Sequence, residues 1–348
     1  MGPAELLGHQ VTDAPVGANL DTEVRPTGVH RIRGFLVDAT RGGVLGPLVA
    51  LLFASVVFSA LTDTFLTPSN ISLILTQSIV IGMLALGQTM IILTSGIDLA
   101  NAAIMVLASV VIAKVVKVSD NAFVALLIGL AVALALSAIS GLLVSQMNLP
   151  PFIVTLGMLT VVTAAARLYT GSSSIPVQND LIAWLGTPVP IAGFRFTIGV
   201  FVWFAAYALA WYALTQTGWG THVLAVGDDP EAARLAGIKT RRVLLSVYLV
   251  AGLCYAAAAW QALGRIPNAD PSGYASGNLD SITAVVIGGT SLFGGRGGVI
   301  GTLIGTLIVT VLRNGLTQAG IDSLYQDIAT GVLVVAAVLI DQITRRAR

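Results

Sequence analysis

Long uncharged apolar runs are the feature that most constrains what this chain can fold into. Residues 44–61, 122–144 and 299–312 contain no charged side chain. A helix of about 20 apolar residues spans a hydrocarbon layer roughly 30 Å thick. Inside that layer every backbone polar group must be hydrogen-bonded within the protein, so a spanning segment is a helix or a strand of a closed barrel. The runs lack the polar–apolar alternation of barrel strands, and they therefore predict transmembrane helices.

The composition agrees with this interpretation. Hydrophobic residues make up 55% of the chain and charged residues 10%, whereas soluble domains carry about 25% charged residues. We predict an all-α membrane protein with about ten transmembrane helices. The approximate cores of the spans are residues 44–64, 72–93, 101–117, 122–145, 151–170, 196–215, 243–263, 279–293, 298–316 and 324–343.

The chain divides into a tail and a membrane domain. Residues 1–43 begin with a polar, partly acidic stretch that has no apolar run, which argues against a secretory signal. We expect residues 1–43 to be a cytoplasmic, largely disordered tail and residues 44–345 to be the transmembrane domain. A loose likeness between Gly87-Gln88-Thr89 and Gly289-Thr290 is consistent with two related halves.

The distribution of Lys and Arg predicts the orientation. If both termini are cytoplasmic, twelve of the eighteen Lys and Arg residues lie on the cytoplasmic side, as the positive-inside rule requires. The polar segment 217–242 is then a cytoplasmic loop. Residues 179–194 form an external connection, either a plain connector or one with a short interfacial helix. The net charge of +1 argues against a nucleic-acid partner.

The segment 217–242 contains the signals of a short helix. Asp228 and Glu231 have the spacing of a capping box, and Pro230 suits a first helical turn. Gly237 suits a left-handed C-terminus. We therefore expect a helix over about 229–236, and a helix this short is marginal in water unless it docks on something.

The surface of this helix is suited to close contact. Ala232 and Ala233 keep the helix slim, and Glu231 and Arg234 are spaced to form an ion pair. We predict that a partner protein binds this helix. The predicted contact residues are the four named above and the flanking residues Asp228, Asp229 and Gly237. A solvated connector is the alternative.

Asp98 is the first candidate for a solute pathway. A carboxylate inside an apolar run is costly and usually faces a cavity or a partner. Thr94, Ser95 and Gly96 indicate a break in the helix before it. Two roles stay open: Asp98 holds a helix terminus or an ion pair, or it lines the pathway of a solute.

Further candidates for the pathway carry hydroxyl, amide, carboxylate or aromatic groups near predicted helix ends. Packing is the alternative for most of them, and helix capping is the alternative for Asp280. These candidates are Thr94, Asn148, Phe152, Thr155, Asp280, Thr290, Ser291 and Phe293.

Four segments together resemble a known family. E-A-A-R-L-A-G at 231–237 is similar to the coupling helix of permeases from binding-protein-dependent ABC importers. The wider pattern lies in G-Q-T-M-I-I-L-T-S-G-I-D-L at 87–99, P-F-I-V-T-L-G at 151–157, and residues 279–297 with G-G-T-S-L-F-G-G-R-G. The resemblance is to ribose, xylose and autoinducer-type permeases. The chain departs from it at Ala100, Asn101 and Ala102.

The resemblance implies a permease that imports a monosaccharide, a polyol or a related polar solute across the cell's plasma or inner membrane by alternating access. It implies a second permease copy or paralogue, two ATPase subunits that bind ATP and Mg²⁺, and an extracytoplasmic solute-binding protein. The chain itself has no G-x-x-x-x-G-K-[ST] phosphate loop, so we expect it to be no enzyme and to hold no cofactor. Arg296 is suited to lipid phosphates or to the ATPase surface.

The alternative function is an ion-coupled secondary transporter of small polar solutes. It needs ion-coupling carboxylates near the middle of the membrane, for which Asp98 and Asp327 are the candidates. A membrane enzyme is disfavoured because the sequence has neither paired catalytic carboxylates nor a metal-ligand spacing.

Overall fold

The computed structural model describes the backbone of residues 44–346, and the predicted tail, residues 1–43, lies outside this described part of the chain. Helices dominate the described residues. In chain order they are α1 (Leu45–Leu61), α2 (Pro68–Leu93), α3 (Asn101–Ser119), α4 (Ala122–Met147), α5 (Pro151–Thr170), α6 (Asp180–Ala183), α7 (Ile198–Gln216), α8 (Gly218–Asp228), α9 (Pro230–Leu235), α10 (Thr240–Arg265), α11 (Gly277–Ile287), α12 (Val299–Gln318) and α13 (Ser323–Arg346). A 3-10 turn, Trp184–Gly186, follows α6. The strands are β1 (Ile175–Pro176), β2 (Pro188–Ile191), β3 (Phe194–Thr197) and β4 (Asn268–Ala269), paired antiparallel as β1–β4 and β2–β3.

Seven of the described helices are long and apolar enough to cross a membrane: α2, α3, α4, α5, α7, α10 and α12. Helices α1, with 17 residues, and α11, with 11, are apolar but shorter. Helix α13, with 24 residues, lies where the last span was predicted. The prediction of an all-α membrane protein is therefore confirmed, while ten as the number of spans stays a prediction.

The eighth predicted span, 279–293, is wrong in its second half. Helix α11 ends at Ile287. The chain then turns through four glycines with positive φ: Gly289, Gly294, Gly295 and Gly297. Glycine adopts this left-handed conformation readily because it has no Cβ. At 1.5 Å per residue, α11 covers about 16 Å, roughly half of a hydrocarbon layer.

Helices α2 and α10 cross the middle of the bundle. They pack against each other, and α10 also packs on α3 and α4 while α2 packs on α11 and α12. A Cβ on Gly87 would lie 2.7 Å from Cε1 of Tyr255, and a Cβ on Gly82 would overlap the indole of Trp203. Small residues let helix backbones approach closely, and here they make room for aromatic rings that are fully buried.

Apolar side chains also cover the outside of the bundle. Leu52, Phe53 and Val56 are exposed on α1, and Ile153 and Val161 are exposed on α5. Such a surface is unusual on a soluble monomer and is what a hydrocarbon environment requires of a spanning helix.

The connections gather at two ends of the bundle. Loop 94–100, the α8–α9 segment and turn 288–298 lie together, and we call this the α9 end. The opposite end carries the β2–β3 hairpin, where the backbone N of Arg195 donates to Ser72 Oγ over 2.9 Å. The connection 179–194, which the sequence predicts to be external, contains α6, the 3-10 turn and β2.

Candidate functional site

Helix α9 is the short helix that the sequence predicts, but its N-cap is Asp229 and not Asp228. The Asp229 carboxylate accepts hydrogen bonds from the backbone N–H groups of Glu231 and Ala232, both at 2.9 Å. Asp228 is instead the last residue of α8. The capping-box prediction is therefore wrong by one residue, because a second helix ends where the sequence pattern indicated only a loop. Gly237 has φ +87° and ends α9 as predicted.

The exposed face of α9 carries an ion pair. Arg234 donates from Nη2 to Oε1 of Glu231 over 2.6 Å and from Nε to Oε2 over 3.1 Å. This contact lowers the pKa of Glu231 below its ordinary value. Ala233 is buried against the bundle, whereas Ala232 and Leu235 face outward. Leu235 is 76% exposed, so α9 offers a partner an apolar side chain beside a charged pair.

Three backbone segments meet directly behind α9. Ser95 Oγ lies 2.7 Å from the carbonyl O of Gly227, at the end of α8, and 2.8 Å from the carbonyl O of Phe293. The backbone N of Gly295 donates to the carbonyl O of Leu93 over 3.0 Å. We call these three segments, 93–95, 227–228 and 293–295, the junction. The junction joins the end of α8 to the end of α2 and to the turn between α11 and α12.

The junction is packed without room for side chains. A Cβ on Gly227 would overlap the carbonyl of Leu93, and a Cβ on Gly294 would overlap the hydroxyl of Ser95. Ser95 itself has φ +62°, a conformation that is uncommon for residues other than Gly, Asn and Asp. Such a conformation persists where surrounding contacts determine it. A displacement of α8 therefore bears directly on α2 and on the α11–α12 turn.

Asp98 is buried and holds the start of α3. Its Oδ1 accepts from the backbone N of Ala100 over 2.7 Å, and its Oδ2 accepts from the Tyr255 hydroxyl over 2.9 Å. With the Gln88 side-chain amide oriented so that its N and its O both find partners, the amide N donates to the backbone O of Asp98 and the amide O accepts from the backbone N of Asp98. This geometry matches the predicted role at a helix terminus. The predicted role in a solute pathway stays a prediction.

Loop 94–100 is a break between α2 and α3 that protein covers on several sides. Asn101 Nδ2 donates to Ser281 Oγ over 2.8 Å, and Asn278 Nδ2 donates to the carbonyl O of Leu99 over 3.2 Å. Non-helical backbone at membrane depth needs such partners. The first turn of α11 thus supports the break that the sequence indicated.

Four predicted pathway residues lie at the end of α2, at the end of α4 or on α5. Thr155 is buried, and its hydroxyl donates to the carbonyl O of Ile97 over 3.0 Å, so it ties α5 to loop 94–100. The hydroxyl of Thr94 bonds back to its own helix, to Ile91 O at 2.9 Å. Phe152 is 51% exposed, and Asn148 is an exposed left-handed C-cap of α4. The pathway roles of these residues stay predictions.

The other predicted residues at this end belong to the α11–α12 turn. Thr290 is buried and accepts from the backbone N of Gly298 over 3.4 Å. Ser291 accepts from the backbone N of Phe293 over 3.3 Å. These hydroxyls hold the turn in shape, and Phe293 takes part in the junction through its carbonyl group.

Asp280 lies at the opposite end and does not cap α11. The N-cap of α11 is Ser276, and Asp280 lies in the first turn of the helix. Its carboxylate accepts from Arg313 Nη2 of α12 over 2.8 Å, and the same atom of Arg313 lies 3.2 Å from Asp327 of α13. The capping alternative is wrong because a long-range ion pair, which local sequence does not reveal, takes the carboxylate. The pathway role of Asp280 stays a prediction.

Ser95, Gly227 and Arg313 are the residues that sequence reasoning did not select. Ser95 was noted as part of a helix break, but nothing in the sequence indicates its two carbonyl partners. Within residues 44–346, no group of three or more His, Cys, Asp and Glu residues is arranged to hold a metal ion.

Comparison with known proteins gives a consistent set of relatives. The family model described as "Branched-chain amino acid transport system / permease component" matches residues 70–338. The fructose import permease protein FrcC of Rhizobium meliloti is 41% identical over 307 residues, which cover 86% of this chain and 85% of FrcC.

Two other relatives carry different sugars in their names. The ribose import permease protein RbsC of Escherichia coli K12 is 36% identical over 298 residues, covering 84% of this chain and 92% of RbsC. The galactose/methyl galactoside import permease protein MglC of the same strain is 33% identical over 327 residues, covering 89% of this chain and 96% of MglC. No solved structure matches the chain significantly.

Proposed function

Because the chain belongs to the family of branched-chain amino acid transport system permease components, we propose that it is the membrane-spanning permease subunit of an ATP-driven importer of a monosaccharide or a related polar solute. Its relatives are named as import permeases for fructose, ribose and galactose. The family membership sets the class of transporter, and the sugars named in the relatives set the class of solute.

The observation that carries the mechanism is the connection between α9 and the junction. Helix α9 presents Glu231, Arg234 and Leu235 to the outside of the bundle, and α8 ends at Gly227–Asp228 against α2 and the α11–α12 turn. In the proposed mechanism, two cytoplasmic ATPase subunits bind α9 and move it when they close on ATP and Mg²⁺. The junction passes that movement to α2, α11 and α12. The solute passage then closes on one side of the membrane and opens on the other.

The remaining parts of the proposal concern the assembly. The α9 end faces the cytoplasm of the cell, both termini lie on that side, and the opposite end receives a solute-binding protein. A second permease copy or a paralogue completes the passage in the plasma or inner membrane. ATP hydrolysis belongs to the partner subunits.

An ion-coupled mechanism has less support. It requires carboxylates that exchange an ion during transport. Both buried carboxylates that the structure describes are already engaged within the chain, Asp98 by Tyr255 and Asp280 by Arg313.

The test uses the permease reconstituted with its ATPase and binding-protein partners. We expect Glu231→Arg to leave membrane insertion intact, to reduce sugar uptake at least tenfold, and to uncouple ATP hydrolysis from uptake. The double variant Glu231→Arg with Arg234→Glu is the matched control, because it restores the ion pair with its charges exchanged. If α9 acts as a docking surface, uptake stays low in the double variant; normal uptake in the single variant would refute the proposal.

A further inference from the structure

A cavity on the outer half of the bundle has a lining suited to a sugar. It lies between α3, α5 and the turn 271–278, has a volume of about 50 Å³, and adjoins an open groove of about 600 Å³ along α5. Leu159, Thr163 and Arg167 line both this cavity and an adjoining open groove along α5. Residues four apart share one helix face, so a single stripe of α5 runs from the open groove into the cavity.

The polar groups of the lining come from three elements. Thr163 and Arg167 come from α5, Ser272 and Tyr274 from the turn, and Asn278 from the first turn of α11. Apolar surface is supplied mainly by Ala102 and other small residues at the start of α3. An aromatic ring beside hydroxyl, amide and guanidinium groups matches a sugar ring, which has C–H faces and many hydroxyl groups.

The charge of the lining restricts the ligand further. Arg167 is the one charged residue among those that line the cavity, and no carboxylate is among them. Asp270 lies next to the turn, where its carboxylate accepts from the backbone N of Ser272 over 2.8 Å. A cationic solute would meet no compensating charge in the cavity, whereas hydroxyl groups can accept hydrogen bonds from the Arg167 guanidinium. The choice of a neutral solute over an anionic one comes from the proposed function, import of a monosaccharide.

Tyr274 is held in place by its surroundings. Its φ is +56°, a strained value for a residue with a Cβ. Its hydroxyl accepts from Arg265 Nη2 over 3.1 Å, and its carbonyl accepts from the backbone N of Gly277 over 2.9 Å. These contacts hold both the backbone and the hydroxyl of Tyr274, a residue of the cavity lining, in place.

The cavity also adjoins the break in the helices. Asn278 lines the cavity and donates to the carbonyl O of Leu99 in loop 94–100. Loop 94–100 begins at the junction, which connects to α8 and α9. Asn278 of the cavity lining and Gly227, close to α9 in the chain, thus contact opposite ends of one short segment.

We propose that this cavity, lined by Thr163, Arg167, Tyr274 and Asn278, together with the adjoining groove along α5, is a binding site for a neutral monosaccharide on its way through the permease. The proposal rests on the proposed function and adds to it the place where the solute is held.

A binding test needs neither the ATPase nor the binding protein. Cys254 is the single cysteine of the chain, so Cys254→Ala gives a cysteine-free background for Thr163→Cys. In nanodiscs, the rate of labelling by a small maleimide is measured with D-fructose, D-ribose or D-galactose up to about 50 mM, far above a millimolar dissociation constant. We expect at least one of these sugars to slow labelling threefold or more. Val118→Cys, 83% exposed at the end of α3, is the control and keeps its rate.

The outcomes are distinct. Equal labelling rates with and without all three sugars would overturn the proposal, and so would protection by a sugar phosphate alone. In the reconstituted complex, Thr163→Trp should reduce uptake at least tenfold, while Val161→Trp, on the exposed side of the same helix, should not. If wild-type permease takes up none of the sugars, the proposed function fails, and the labelling result still decides whether the cavity binds sugar.

Discussion

Replacement of Ser95 separates the mechanical role of the junction from its contribution to stability. Ser95→Ala removes the hydroxyl that contacts Gly227 O and Phe293 O and keeps the left-handed backbone, with its φ of +62°. Ser95→Gly removes the same contacts and also relieves the backbone strain, because glycine populates this conformation freely.

Ser95→Gly should therefore be more stable than Ser95→Ala. Loss of a hydrogen bond costs about 0.5–1.5 kcal/mol, and Ser95 is partly exposed, so water can reach the freed carbonyl groups and the lower part of that range applies. A left-handed backbone costs a residue with a Cβ roughly 1 kcal/mol, and Ser95→Gly regains this stability because glycine has no Cβ. We expect Ser95→Ala to be less stable than wild type and Ser95→Gly to be close to wild type.

Coupling should not follow this order. If the junction transmits movement from α8 to α2, both variants lose the same contacts and both should lower the number of sugar molecules transported per ATP by a similar factor. The assay measures uptake and ATP hydrolysis in the same proteoliposomes, together with the thermal midpoint of each purified variant. Normal coupling in Ser95→Gly with impaired coupling in Ser95→Ala would refute the reasoning, because coupling would then follow stability alone.

Three other predictions concern single contacts. Gly227→Ala should impair assembly or coupling, measured by yield and by uptake per ATP, since its Cβ would overlap the Leu93 carbonyl; wild-type values would contradict the packing. Arg313→Gln leaves the buried Asp280 carboxylate without its cation. Loss of one partner of a buried ion pair costs about 3–5 kcal/mol, and we expect a smaller loss of stability here because Arg313 is partly exposed. A second substitution, Asp280→Asn, removes the unpaired charge and should restore most of the thermal midpoint. Because Arg234 lowers the pKa of Glu231, the ion pair is fully formed above the ordinary Glu pKa and is lost as the pH falls through the lowered pKa. Arg234→Gln should raise the pKa of Glu231 in an NMR titration. An unchanged pKa would exclude the ion pair.

The sequence predicted the class of fold because membrane burial leaves a direct compositional signal. Runs such as 122–144 are apolar on every face. Because the backbone N–H and C=O groups of such a run must be hydrogen-bonded within the protein when it lies in lipid, the run forms a helix. Glycine-rich stretches were harder to interpret. The predicted eighth span includes 288–293, where Leu292 and Phe293 are apolar, but the helix ends at Ile287 and Gly289 has a positive φ.

The short helix α9 was predictable, but its surroundings were not. Local signals, a capping aspartate and Gly237, located α9 to within one residue at its start. The junction consists of side chain to carbonyl contacts between residues as far apart as Ser95 and Phe293, and such contacts follow from tertiary packing alone. For the same reason, the sequence offers a helix cap as the alternative role of Asp280, although Arg313 of α12 binds it.

Cross-linking at Ala232 tests the central claim most directly. Ala232 is exposed on α9, so Ala232→Cys in the Cys254→Ala background can carry a benzophenone maleimide without disturbing the bundle. Illumination of membranes that contain the assembled transporter should join this position to the ATPase subunit, and Val118→Cys at the opposite end should not be joined to it. Cross-links from Ala232→Cys to lipid or to the solute-binding protein, with none to the ATPase, would contradict the account.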